Sequence, residues 1–207
     1  MLNIPYESNP GMACALACYT MTSRYFFPKA TFDQVAKISD WQPGYIIWAF
    51  KFWYWIMEKG IKITDYDLMD LAAWAGEGLQ GLKNSASEKE FNFYINYTKN
   101  IKGYSEDIKK VLTHPNFTFK RQRLAWENLV EAYNQGGVCE VVLDSASLDK
   151  KAGFTPHRVV ILEIDKDTIV FHDPRKEPRP ARRESLELFK KAWLEAMDEP
   201  ELCIYNK

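Results

Sequence analysis

The chain has 207 residues, of which 46% are hydrophobic and 14% aromatic, so it can bury a sizeable core and is not a disordered chain. Lysine and arginine number 27 against 28 aspartate and glutamate, and the net charge of −1 provides no overall positive field. These values exclude nucleic acid as the main expected partner.

The cysteine pattern indicates the redox compartment, and the hydropathy pattern shows whether a membrane span is expected. The four cysteines, at positions 14, 18, 139 and 203, are too scattered for a disulfide framework, which favours a reducing compartment. The most apolar stretch, residues 45–57, contains Lys51 and is shorter than the ~20 residues that cross a bilayer. We therefore expect a cytoplasmic protein without a membrane span.

The first third of the chain predicts helices followed by a strand. Residues 9–11 (Asn-Pro-Gly) signal a turn, and the apolar side chains after them recur at helical spacing, which predicts a buried helix from about Ala13. Residues 31–34 match a capping box and predict a second helix. Residues 45–59 predict a strongly apolar helix, and residues 61–66 alternate like a strand.

The rest of the chain predicts a helical segment and then a strand-rich half. Residues 67–113 are mostly helical in pattern, whereas 138–143 follow two glycines and predict a central strand. The β-rich runs 158–164 and 168–171 predict a hairpin. The other predicted elements are a strand at 117–120, a helix at 124–133, a basic proline-rich loop at 174–183, a helix at 185–197 and a final strand at 201–205.

Three side chains stand at positions that suggest nucleophilic catalysis. Cys14 begins a predicted helix, where the free N–H groups and the helix dipole favour a thiolate. His157 opens one strand of the predicted hairpin and Asp173 closes the other, so pairing of the strands brings them together although 16 residues separate them. A histidine oriented by a carboxylate can lower the pKa of the thiol further.

The order cysteine, histidine, carboxylate is that of papain-like cysteine enzymes. Residues 14–21 (Cys-Ala-Leu-Ala-Cys-Tyr-Thr-Met) resemble the Cys-Gly-x-Ala-Cys-x-x-Met opening of the double-glycine leader peptidases, which process bacteriocins, and their soluble relatives. Residues 157–164 and 169–174 resemble that family's histidine strand and its strand ending in Asp-Pro. The glycine-rich entry at 136–141 and the Phe-x-x-x-Trp helix within 185–193 also match.

The resemblance implies one α+β papain-like domain over residues 1–207, with an N-terminal helical half packed on a C-terminal antiparallel sheet and a helical insertion at roughly 67–113. It implies a cysteine peptidase or amidohydrolase that acts on a peptide or protein substrate through a thioester, with Cys14, His157 and Asp173 as the catalytic triad. No cofactor and no metal are implied.

The sequence departs from the family where the oxyanion hole is expected. Relatives carry a glutamine about six residues before the cysteine, and this chain has Ser8 there. Ser8 or Asn9 can donate one hydrogen bond beside the Cys14 N–H, and Gln42 is another candidate donor. Loss of one donor typically costs ~100- to 1000-fold in rate. One alternative is therefore a catalytically impaired peptide-binding pseudoenzyme. A second alternative is an acyltransferase that uses the same triad.

Three other motifs each allow a structural interpretation and a functional one. Trp48, Phe52 and Trp55 share one helical face, which predicts core packing, with a helical adaptor surface as the alternative. A zinc site built from Cys14, Cys18, His157 and His172 lacks a second paired motif, so we expect Cys18 to be a packed thiol; strand alternation predicts that His172 is structural or exposed. The basic loop predicts a solvated segment, with binding of an acidic substrate as the alternative; its cationic residues are Arg175, Lys176, Arg179, Arg182 and Arg183.

Overall fold

A computed structural model of the protein describes residues 1–9, 11 and 13–207, with the backbone alone at Lys89. Pro10, in the predicted turn, and Met12 lie outside the described residues. Over the described part of the chain, helices combine with one mixed sheet of seven strands, which confirms the α+β class.

The strands form one continuous sheet. Their bounds are β1 Lys62–Asp67, β2 Phe117–Arg121, β3 Val138–Asp144, β4 Pro156–Ile164, β5 Thr168–Asp173, β6 Arg179–Ser185 and β7 Glu201–Asn206. The order across the sheet is β2-β1-β7-β3-β4-β5-β6, and β1–β2 is a parallel pair whereas the other neighbours are antiparallel. The sheet thus extends beyond the expected C-terminal antiparallel strands by one parallel edge pair.

The helices supply the layers on both sides of this sheet. Their bounds are α1 Cys14–Phe26, α2 Phe32–Ile38, α3 Phe50–Met57, α4 Leu71–Glu77, α5 Leu79–Ser85, α6 Glu88–Tyr97, α7 Tyr104–Leu112, α8 Trp126–Asn134, α9 Ser145–Leu148 and α10 Leu186–Lys190. A π-helical turn, Lys191–Glu195, continues α10. The predicted helical segment 67–113 becomes α4–α7, and it is the crossover that a parallel β1–β2 pair requires.

The two faces of the sheet bury different sets of apolar side chains. In β4, Val160 and Leu162 pack in the cluster that contains α1, α3, α4 and α7. Val159 and Ile161 pack in the cluster that contains α8 and α10. Because successive side chains of a strand point to opposite faces, this alternation places β4 between two helical layers.

The central strand β3 needs the two glycines that precede it. Every residue of β3 is buried, as expected for a strand covered on both faces. Gly136 has φ of 82°, a left-handed conformation that glycine adopts without strain. A Cβ on Gly137 would lie 2.8 Å from a methyl carbon of Ile204 in the neighbouring β7, so this position has no room for a side chain.

Two predicted element boundaries are wrong. The apolar helix begins at Phe50 instead of near residue 45, and in the segment before it the Ile46 N–H donates to the Tyr97 carbonyl at the end of α6 (2.9 Å) instead of to a helical acceptor. The predicted loop 174–183 is also partly strand, since β6 begins at Arg179 and pairs with β5.

A helix that crosses a bilayer must be both long and apolar. Among the described residues, every helix is too short or too polar to span a membrane.

Candidate active site

Cys14 is the first residue of α1, at the end of the helix where N–H groups lack intrahelical acceptors. The segment before it is held by Asn9, whose Oδ1 accepts hydrogen bonds from the Gly11 N–H (2.8 Å) and the Ala13 N–H (2.9 Å). Cys14 is half-buried, whereas α1 buries its residues from Leu16 onward. The sulfur thus stands where a buried helix begins.

The hairpin β4–β5 brings His157 and Asp173 together. His157 lies opposite Leu143 of β3, near the start of β4, and Asp173 is the last residue of β5. The His157 Nε2–H donates to Asp173 Oδ1 at 2.7 Å, and both side chains are buried. This bond occupies Nε2 and leaves Nδ1 available to the cysteine sulfur.

Cys14 and His157 form a hydrogen-bonded pair that favours charge separation. Burial raises the pKa of the Cys14 thiol, but the hydrogen bond from the His157 ring and the charge of the ring lower it by more, so its pKa lies below the usual value. The backbone N–H of Arg158 also lowers the pKa of this thiol by a hydrogen bond. The thiol is therefore disposed to give its proton to the ring.

The pKa values of the other two side chains agree with an ion pair. Burial lowers the pKa of His157, but its bonds to Asp173 and Cys14 raise it by more, to about 9. Burial raises the pKa of Asp173, but its bonds to His157 and Arg175 lower it to about 2. The shifts of all three pKa values favour a thiolate, an imidazolium and a carboxylate.

A cluster of arginines and one further carboxylate hold Asp173 in place. Arg175 Nε donates to Asp173 Oδ1 (2.8 Å), and Arg182 Nη1 donates to Asp173 Oδ2 (2.9 Å). The same two arginines and Arg179 bind Asp149, which follows α9. With Arg183, which lies 3.5 Å from Glu163, four cations of the predicted loop contact the chain's own carboxylates, and two of them orient the candidate triad.

The two residues expected at the oxyanion hole, Ser8 and Asn9, differ in their contacts. Ser8 is exposed, and within the described part of the chain its hydroxyl has no hydrogen-bond partner. Asn9 uses its side-chain oxygen as an acceptor in the turn before α1. The carboxylate of Glu7, the residue before Ser8, pairs with Arg24 of α1 at 2.7 Å. The Cys14 backbone N–H is the donor that the fold itself provides.

Cys18 and His172 have structural contacts. The Cys18 thiol is buried and donates to the Arg158 carbonyl at 3.3 Å, and burial raises its pKa well above the usual value. His172 Nε2–H donates to the Ile4 carbonyl (2.8 Å), while its Nδ1 accepts from the Ala181 N–H (3.1 Å), so both ring nitrogens are occupied. Burial lowers the pKa of His172 and favours this neutral form.

The remaining candidates of the sequence pack inside the protein. Trp48, Phe52 and Trp55 belong to, or pack against, the core cluster on the α1 side, although Trp48 precedes α3. The other two cysteines, Cys139 and Cys203, are fully buried. Groups of three or more side chains suited to one metal ion are absent from the residues that the structure describes.

Sequence reasoning missed two parts of this site. Asp149 carries no motif, and only the fold shows that a carboxylate after α9 meets the arginines of β6. Arg158 has the pattern of an ordinary strand residue, yet its backbone N–H bonds the Cys14 sulfur and its carbonyl accepts from Cys18. The sequence signal for this shared contact is the i, i+4 spacing of the two cysteines, which places both on one side of the helix.

Searches of protein-family models, curated proteins and solved structures find no match to this chain.

Proposed function

We propose that the protein is a cysteine hydrolase that cleaves a peptide or amide bond through a thioester on Cys14. The observation that carries this proposal is the hydrogen-bonded series Cys14, His157 and Asp173, in which the thiol has a lowered pKa and the ring a raised one. Perturbed pKa values of this kind, in groups that contact each other at a helix terminus, are typical of nucleophilic sites. The resemblance to papain-like enzymes supports the same reaction.

The proposed reaction has two stages. The Cys14 thiolate attacks the carbonyl carbon, the oxyanion accepts a hydrogen bond from the Cys14 N–H, and His157 gives its Nδ1 proton to the leaving amine. Water then attacks the thioester, with His157 taking the proton of the water. The carboxylic acid product leaves and the thiolate and imidazolium form again. Asp173 keeps the ring oriented in both stages.

A papain-like fold and a cytoplasmic location belong to the same proposal. The mixed sheet with α1 packed against β4 agrees with a helix that delivers its N-terminal cysteine to a strand-borne histidine. All four cysteines are free, and a site that depends on a thiolate works in a reducing compartment. The partner we propose is a peptide or protein substrate.

Incubation with a mixed peptide library, followed by mass spectrometry, tests the proposal. We expect the wild type to cleave a subset of peptides, the Cys14→Ala variant to cleave none, and the Cys18→Ala variant, which removes the buried neighbouring thiol, to remain active. Products joined to an added amine would identify an acyltransferase instead. Equal cleavage by the wild type and Cys14→Ala would refute a role for this thiol.

A peptide-binding pseudoenzyme is the second candidate, and the placement of Ser8 and Asn9 favours it. Ser8 is exposed and offers a hydroxyl where relatives have an amide, and the Asn9 side chain is held in the turn before α1 by the two bonds that its oxygen accepts. If wild type binds peptides without cleaving them and Ser8→Gln creates cleavage, the pseudoenzyme is supported. Turnover by the wild type would exclude it.

A further inference from the structure

A cavity with a volume of about 140 Å³ lies on the α1 side of the sheet. Three carboxyl side chains line it, Asp65 and Asp67 from β1 and Glu201 from β7, together with the guanidinium of Arg158 from β4. Its walls also include five aromatic side chains: Tyr19, Trp48, Phe50, Trp53 and Tyr94. The half-exposed Tyr94 and residues 46–47 place its mouth between α6 and the segment before α3.

Asp65 is the unusual group in this cavity. Its residue is 4% exposed, yet among the described side chains its carboxyl has neither a hydrogen-bond donor nor a cationic partner. Burying an ionised carboxyl without a partner costs free energy. Asp65 lines the cavity, so a group inside the cavity is the partner that its position allows.

The other charges of the cavity leave an excess of carboxyls. Glu201 binds Arg158 Nη2 at 2.6 Å, and Glu140 lies 3.6 Å from Arg158 Nη1, so the single guanidinium is already shared by two carboxylates. Asp67 accepts a hydrogen bond from the Met69 N–H (2.9 Å) but, within the described residues, contacts no cation. Asp65 and Asp67 are thus both available to a cation from outside.

The pKa values of these two carboxyls support the same conclusion. Burial, then the charges of Asp67 and Glu201, raise the pKa of Asp65 well above its usual range. Burial, then the charge of Glu201, raises the pKa of Asp67 to about 7. A cation in the cavity would lower both values, and it would displace protons when it binds.

The shape of the cavity favours an organic cation over a metal ion. A bare metal ion requires several ligands that converge on one point. Among the described residues, no group of three or more His, Cys, Asp or Glu side chains is arranged in this way. A cavity of about 150 Å³ can hold a six-membered carbon ring, so this one fits a group of about six heavy atoms. Aromatic walls attract a cation and also cover its apolar stem.

We propose that this cavity binds a compact organic cation, an alkylammonium or alkylguanidinium group like the end of a lysine or arginine side chain. The charged head contacts Asp65 and Asp67, and the alkyl stem lies against the aromatic walls. This site is separate in its chemistry from the thiol at Cys14, and its existence does not depend on the proposed hydrolase activity.

Calorimetric titration of the full chain with butylammonium and with butylguanidinium tests the proposal, with butanol and butyrate as neutral and anionic controls of similar size. We expect at least one cation to bind and both controls to bind at least about tenfold more weakly. Asp65→Asn should weaken cation binding about tenfold or more, whereas Asp167→Asn, which changes an exposed carboxylate of the β4–β5 turn, should leave it unchanged.

The pH dependence of the wild type provides a test that needs no variant. The groups facing the ligand are Asp65, Asp67, Glu201, Arg158, Tyr19 and Tyr94, and the carboxyl with a pKa of about 7 is Asp67. Affinity for the cation should therefore rise as the pH is raised through about 7. Equal binding of cation and butanol, or an affinity that falls as the pH rises, would overturn the proposal.

Discussion

Replacing Asp173 by asparagine removes the charge that links the candidate triad to the arginine cluster. The carboxylate is fully buried and accepts hydrogen bonds from His157, Arg175 and Arg182. Asparagine has nearly the same shape and keeps one acceptor oxygen, but its amide nitrogen donates, so the change removes the charge together with one acceptor. Arg175 and Arg182 retain Asp149 as a partner, which limits the disturbance.

The size of the effect follows from the pKa of Asp173. Its value of about 2, against 3.8 for a free aspartate, is a shift of nearly two units, or about 2 kcal/mol at ~1.4 kcal/mol per unit. Because the folded-state pKa is lowered, this stabilisation is present above about pH 4 and is lost as the pH falls towards about 2. We expect Asp173→Asn to lower the free energy of unfolding by about 2 kcal/mol at neutral pH.

Urea unfolding followed by tryptophan fluorescence measures this difference. The difference between wild type and Asp173→Asn should shrink as the pH is lowered from about 4 to about 2, because the wild-type carboxyl then takes up a proton. The control Asp167→Asn should change the free energy of unfolding by less than about 0.5 kcal/mol. A neutral-pH loss no larger than that of the control, or a loss that persists in acid, would refute the reasoning.

Further predictions concern the packing at Gly81, the accessibility of the Cys14 and Cys18 thiols, and the pKa of His157. Gly81→Ala should lower the free energy of unfolding by about 1–3 kcal/mol or more, because its Cβ would lie 2.0 Å from the Ala73 carbonyl oxygen; an unchanged melting temperature would contradict this. Gly76→Ala, with no atom within 4 Å of its Cβ, is the matched control. In the folded protein iodoacetamide should modify Cys14 and leave the buried Cys18 unmodified, as peptide mass spectrometry can show. In an NMR titration His157 should have a pKa of about 9, and Cys14→Ala should lower it, whereas a value near 6.5 in wild type would contradict the ion pair.

The local parts of the site could be predicted from the sequence because each has a short-range signal. A turn before an apolar helical pattern places Cys14 at a helix N-terminus, and two β-rich runs with a short polar connection form a hairpin. Hairpin pairing then brings His157 and Asp173 together without further information, and the bond of 2.7 Å confirms that part. The contact between this hairpin and α1 has no such short-range signal, and only the resemblance implies it.

The parts that depend on distant contacts could not be predicted. Asp149 meets the arginines because α9 and β6 lie at the same end of the sheet, which no local pattern encodes. The start of α3 is set by a backbone bond between Ile46 and Tyr97, which overrides the helical propensity of the apolar run. Asp65 lies two residues after the buried Ile63, so alternation in β1 places it on the buried face, but only the helices that cover this face make it line a cavity.

The central claim is that Cys14 is a thiolate held by His157, and the ultraviolet absorbance of the thiolate tests it directly. The absorbance of wild type minus that of Cys14→Ala, recorded as a function of pH, gives the ionisation of this one sulfur. We predict that the thiolate of wild type forms below the ordinary thiol pKa of ~8.5 and that His157→Ala raises this pKa, because the effect of burial then acts without the opposing ring. A wild-type thiolate that forms only near ~8.5, with no change in His157→Ala, would contradict the claim.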